Sequence, residues 1–131
     1  MRQNAGCEHL HRSLLDLIKI NDGAPWVFVH DLRVGDVLSV QTQNTLYTFY
    51  IENPKEGAAT ITNNGKAIKE KVSGWIGGTT LSGTGTMVRV GGITIGLRLV
   101  LLVNGEEYIL SPTREISVNG TKILPLVHRA H

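Results

Sequence analysis

The sequence predicts a mainly β fold: a small, mostly antiparallel β-barrel of about eight short strands, with one N-terminal α-helix packed on its outside. Three observations carry this expectation. Asn-Gly occurs three times, at Asn64-Gly65, Asn104-Gly105 and Asn119-Gly120. Both central residues of a type I′ hairpin turn need positive φ, and Asn and Gly adopt it at least cost. Between such turns, apolar and polar residues alternate with period two, the mark of a strand with one face in a core. Gly, Pro and Asn clusters divide these runs into many short strands, as in a barrel or a sandwich. A closed barrel is preferred to the β-sandwich, the runner-up, because closure removes exposed strand edges.

The elements follow in order. Residues 7–20 carry Leu10, Leu14, Leu17 and Ile18 at helical spacing, with Leu15 at the margin of the stripe. His9, Arg12, Asp16 and Lys19 fall on the wetter side. Asn21-Asp22-Gly23-Ala24-Pro25 would end that helix, since Gly takes a left-handed cap and Pro cannot continue it. The barrel spans 26–124. It opens with a strand from Trp26, a tight turn at 31–36, and the strand Val37–Thr42 with Leu38 and Val40 on one face. In Thr45–Glu52, Tyr47, Phe49 and Ile51 share the inner face, while Leu46, Thr48 and Tyr50 point outward.

Ala58–Asn63 is expected to pair with Lys66–Val72 across Asn64-Gly65, with Ile61 opposite Ile68. A short helix over 66–72 is the competing reading, from its helix-forming composition. The Gly/Thr-rich residues 77–86 read as a long mobile loop or a frayed hairpin. Met87–Val90 precedes Gly91-Gly92, which suits a hairpin or a bulge. From Ile93 to Val103 one continuous strand is expected, its core face Ile93, Ile95, Leu97, Leu99 and Leu101. A two-residue turn at Asn104-Gly105 then sets Val103 opposite Glu106, Leu101 opposite Tyr108 and Leu99 opposite Leu110. Val100 and Leu102 make the outer face apolar too, so the helix is expected to cover them together with Ile109. Ser111-Pro112-Thr113 should break the run. The last hairpin joins Arg114–Val118 to Thr121–Leu124, with Ile116 opposite Ile123, and 125–131 form a tail.

At 131 residues the chain fits a single domain, 1–131, with a real core. Its net charge is only +2, and the signs are mixed along the chain. Lys66, Lys69 and Lys71, with Glu70 among them, are the nearest approach to a basic run, which argues against a nucleic-acid binder. The single cysteine allows no internal disulfide. No signal-like N-terminus and no apolar run near about 20 residues is visible. The expectation is a soluble, cytoplasmic protein without a membrane span.

Chemistry-bearing residues are sparse. Cys7 and His11 stand four apart and could share a helix face, but a structural zinc site needs four ligands and a catalytic one usually three, and the other histidines complete no set. No metal or cofactor is therefore assigned. No Gly-x-Ser-x-Gly elbow is present. His30 and Asp31, or Glu106 and Glu107, would point to opposite sides of a strand. Gly77 to Thr86 lacks the Lys and the following helix of a phosphate-binding loop. No catalytic residue is assigned, and the reading leans away from an enzyme.

What remains is a binding surface. Trp75 precedes the Gly/Thr segment and Tyr50 points outward, whereas Trp26 reads as core. The candidates are Tyr50, Trp75, Gly77, Gly78, Thr79, Thr80, Arg89 and Arg98. The favoured function is a non-enzymatic binding or assembly module acting through protein–protein contacts, as a homodimer or with another protein. The alternatives are a nucleic-acid-binding barrel that stacks bases on Tyr50 or Trp75, and an enzyme whose catalytic groups come from dispersed positions.

Overall fold

The structure is a computed structural model that describes residues 13–21, 23–65, 71–80 and 87–126, with backbone alone over 87–90. Its strands are β1 Ile18–Asn21, β2 Ala24–Phe28, β3 Val37–Thr42, β4 Leu46–Asn53, β5 Ala58–Asn63, β6 Lys71–Thr80, β7 Met87–Val90, β8 Gly92–Ile93, β9 Arg98–Val103, β10 Glu106–Val118 and β11 Thr121–Leu124. The fold is mainly β, and every strand pairing among the described residues is antiparallel.

Two sheets form. A small one has the order β1-β2-β8, and the remaining eight strands make the large one. In the large sheet the pairings run β3–β4–β5–β6–β9–β10 and return from β10 to β3. Two long strands make that circuit possible. β6 pairs with β5 over Lys71–Trp75 and with β9 over Trp75–Thr80. β10 pairs with β9 from Glu106 to Pro112, then with β3 from Thr113 to Val118. β7 and β11 flank β6 and β10.

Alternation places the core. Leu38 and Val40 on β3, Tyr47, Phe49 and Ile51 on β4, Ala59 and Ile61 on β5, and Leu99, Leu101 and Val103 on β9 are buried in one cluster. Leu17, Val27, Val29 and Ile93 belong to the same cluster, so the small sheet shares the core of the large one. Gly91 stitches the two together: its carbonyl accepts from Val29 N–H at 2.9 Å, and its own N–H donates to the Gly77 carbonyl at 2.8 Å.

Several expectations need correction. The N-terminal helix is absent among the described residues: Leu14–Leu17 is a single 3-10 turn and Ile18–Asn21 is a strand, while 7–12 lie outside the described residues. The apolar stripe is real, since Leu17 is buried and Leu14 and Ile18 pack against the core. The backbone is satisfied differently, with Ile18 opposite Val27 and Ile20 opposite Pro25, and β-branched residues suit that pairing. Gly23, at φ +79°, turns the β1–β2 hairpin instead of capping a helix. Among the described residues no helix therefore sits on Leu102, which is 39% exposed, although Val100 is buried.

Of the three Asn-Gly pairs, two adopt the turn with positive φ at both residues, Asn104-Gly105 and Asn119-Gly120. Gly65 does not take that conformation. Side chains compete there for the backbone: Leu46 N–H donates to Asn64 Oδ1 and Gly65 N–H to Asn63 Oδ1, both at 2.9 Å. In the β5–β6 pairing Thr62 faces Lys71, so Ile61 faces Val72 and not Ile68. Residues 66–70 lie outside the described residues, and with them the test of the competing helix.

The strand expected over 93–103 is interrupted. Ile93 ends β8 in the small sheet, Gly96 turns at φ +92°, and β9 begins at Arg98. Gly91-Gly92 is consequently a crossing between sheets. Around Asn104-Gly105 the register is the one two-residue turns impose, with Val103 opposite Glu106 and Leu101 opposite Tyr108. Beyond Ile109 it slips by one, setting Arg98 opposite Pro112. Pro112 does not break β10 as expected. Lacking an N–H, it sits where the strand changes partner from β9 to β3. The last hairpin holds a second irregularity, which pairs Ile116 with Leu124 and displaces the expected Ile123. Pro125 and Leu126 are exposed, and 127–131 lie outside the described residues.

Candidate binding surface

The outer face of β4, β5, β6, β9 and β10 is built by the same alternation that fills the core. On β6, Gly74 and Ile76 turn inward, so Lys71, Ser73 and Trp75 turn outward and are exposed. Cross-strand partners lie on the same side of a sheet. One row therefore runs Ala58, Trp75, Leu102, Glu107 across four consecutive strands. The next runs Tyr50, Thr60, Ser73, and a third Thr48, Thr62, Lys71.

Three large side chains on this face are open to solvent: Trp75 at 47%, Tyr50 at 45% and Leu102 at 39%. Trp75 and Leu102 are direct cross-strand neighbours. Glu107 lies beside Leu102, and Lys71 stands two outward positions before Trp75 on β6. Neither Lys71 nor Glu107 has an ion-pair partner among the described residues. Tyr50, Thr60, Thr62 and Lys71 line an open depression of about 290 Å³. At its edge Thr60 Oγ1 donates to Glu52 Oε2.

A second, smaller pocket of about 90 Å³ lies where the Pro54–Gly57 turn meets the end of the small sheet, lined by Val29, His30, Lys55, Glu56, Ile76 and Gly91 among others. His30 stacks on Phe28 with ring centres 5.3 Å apart, and its Nε2 stands 3.5 Å from Asp31 Oδ1. No serine, threonine or cysteine is among the residues lining the pocket.

Among the described residues no group of three or more His, Cys, Asp or Glu is placed to hold a metal ion. Cys7 and His11 lie outside those residues. Two phenols are perturbed. Burial pushes Tyr47 up from its ordinary value, against the opposing effect of a hydrogen bond with Thr45. Tyr108 is raised by its hydrogen bond to Glu106 and by that carboxylate's charge. Both effects keep the phenols neutral in the ordinary pH range.

The residues singled out in the sequence separate into two groups. Tyr50 and Trp75 come onto one outer face. Gly77 to Thr80 are the end of β6, where Gly78, Thr79 and Thr80 pair with β7 on one side and β9 on the other, so at these residues the hairpin alternative fits and the loop does not. Thr79 and Thr80 are fully buried, and Thr79 Oγ1 donates to the Gly92 carbonyl at 2.9 Å. Small residues suit that crowded strand, and residues 81–86 lie outside the described set. Arg89 lies on β7 with its backbone opposite Thr79. Arg98 is half-buried, its Nη1 donating to the Leu110 carbonyl at 3.4 Å.

Leu102, Lys71 and Glu107 are not among the binding-surface candidates that the sequence offers. The signal for Leu102 was its outward parity with Val100, which the sequence reading used to seat a helix. Lys71 and Glu107 could be placed only with the β5–β6–β9–β10 pairing known.

Comparison with protein-family models, with curated proteins and with solved structures finds no match to this chain. Among the described residues no helix is long and apolar enough to cross a membrane.

Proposed function

We propose that the chain is a small, non-enzymatic binding and assembly module that engages a protein through the outer face centred on Trp75. One observation carries the reading: Trp75 and Leu102 are adjacent across β6 and β9, and both are exposed on a face with Tyr50. Aromatic side chains with a polar rim are the composition of interface centres, and Glu107, Lys71 and the threonines supply that rim. We take the scaffold to be a closed antiparallel barrel. The return of the pairings from β10 to β3 supports closure, and side chains such as Leu38, Phe49, Leu101 and Ile116, all fully buried, fill the interior. A single cysteine suits a reducing compartment such as the cytoplasm.

Placing a photo-crosslinking residue at position 75, and at exposed position 122 as a control, tests the reading in the cells that make the protein. Covalent protein adducts are expected from position 75 and not from 122. Equal labelling at both, or none at 75, would overturn it. A second reading is favoured by one observation, that Tyr50 and Lys71 share a depression: a single nucleic-acid strand stacked there. Binding would then weaken steeply with salt, and no retention of oligonucleotide at about 50 mM salt would remove it.

A further inference from the structure

We infer that the partner on this face is a second copy of the chain, packed face to face about a two-fold axis that passes beside Trp75. This rests on the module reading above and names its partner.

The argument is one of self-complementarity. In a two-fold interface the same patch meets itself, so each residue must find its complement elsewhere on that patch. Here an apolar centre, Trp75 and Leu102, carries opposite charges in two different directions. Glu107 lies two strands away across β9, about 10 Å at ordinary strand spacing, and Lys71 lies four residues back along β6, about 13 Å. An axis in the plane between the two sheets, running between those directions, superposes Lys71 of one copy on Glu107 of the other. The same axis keeps Trp75 close to its own counterpart. It sets Leu102 over the partner's Ser73, and Glu52, already bonded to Thr60, meets no like charge.

The two charges are exposed, and neither has an ion-pair partner among the described residues. Each Lys–Glu contact occurs twice per dimer. Two rim contacts that are weak singly therefore add, and reversing one charge introduces two repulsions. A foreign partner would have to supply both charges in this arrangement, whereas a second copy supplies them by symmetry.

Sedimentation velocity on the full chain, from low micromolar to several hundred micromolar, tests this with five proteins: wild type, Trp75→Ala, Lys71→Glu, Glu107→Lys and the double charge swap. The wild type is expected to dimerise and Trp75→Ala to sediment as a folded monomer that keeps the far-UV circular dichroism spectrum of the wild type, its thermal midpoint falling with the loss of the dimer. Each single charge reversal should raise the dimer dissociation constant about tenfold at low salt. The double swap should return it to within about threefold of wild type. A wild-type monomer throughout the range would overturn the inference. So would a dimer indifferent to Trp75→Ala, which would point to edge-strand pairing, or a double swap no tighter than the single reversals. Should the wild type be monomeric while position 75 still crosslinks a different protein, self-association falls and the module reading stands. Monomers with no adduct at 75 remove both.

Discussion

Asn104 and Asn119 occupy the same kind of turn, with φ of 53° and 52° and a positive-φ glycine after each, yet they carry different loads. Asn104 is exposed and makes no side-chain hydrogen bond among the described residues. Asn119 clamps the start of β3: Val37 N–H donates to its Oδ1 at 2.8 Å, and its Nδ2 donates to Asp36 Oδ1 at 3.1 Å. Its backbone N–H adds a bond to the Val37 carbonyl at 2.8 Å. Glycine accepts the turn conformation at either site and removes only the side chain, so the pair of substitutions separates conformation from bonding. Asn119→Gly should cost about 1–2 kcal/mol more than Asn104→Gly. Urea unfolding of the two variants checks this, and equal midpoints would mean the clamp contributes nothing net.

At the scale of elements, the junction of β5, β6 and β9 depends on an absent side chain. A Cβ on Gly74 would stand 2.8 Å from the Leu102 carbonyl oxygen, 2.9 Å from Ile61 Cδ1 and 3.0 Å from Val103 Cγ2. No positive φ is relieved by glycine here, and strand propensity alone would favour alanine. Gly74→Ala should nevertheless destabilise the protein by about 1–3 kcal/mol, the ordinary effect of overpacking, while Ser73→Ala on the opposite face stays within about 0.5 kcal/mol of wild type. Thermal or urea midpoints decide between packing and propensity. The same junction marks how far the sequence could be read. Alternation alone identified β3, β4 and β5 and the inner residues Tyr47, Phe49 and Ile51, because period-two patterning is local. It also registered the Asn104-Gly105 turn. It failed where distant partners intervene: Asn64 bonds to Leu46 and abandons its turn, and Pro112 marks a change of partner instead of a break. The stripe Leu14, Leu17 and Ile18 does pack inward, with Leu17 buried and the other two half-buried against the core, but as a 3-10 turn followed by a strand and not as the expected outer helix, because spacing over so few residues fits both. Of the candidate surface, Tyr50 and Trp75 were legible from parity. Leu102, Lys71 and Glu107 needed the pairing of strands far apart in sequence.

For the molecule as a whole, the question is whether the small sheet unfolds on its own. Among the described residues its strands pair only with one another, which would permit separate melting. Its apolar side chains argue the other way: Val27, Val29 and Ile93 are buried in the cluster that also holds Phe49 and Leu101. Gly91 bonds to Val29, just after β2, and to Gly77 on β6, and Thr79 Oγ1 on β6 donates to the Gly92 carbonyl on β8 at 2.9 Å. Exposing that shared cluster from one side would strip the large sheet of its own contacts, so the two should melt as one cooperative unit. The chain offers a built-in reporter, because it has two tryptophans and one, Trp26, is buried on β2. In a Trp75→Phe variant, Trp26 fluorescence follows the small sheet alone, while far-UV circular dichroism follows all the strands. The two urea transitions should coincide in midpoint and slope. If Trp26 moved first, with most of the circular dichroism retained, the small sheet would be an independent unit and the shared cluster too weak to couple it.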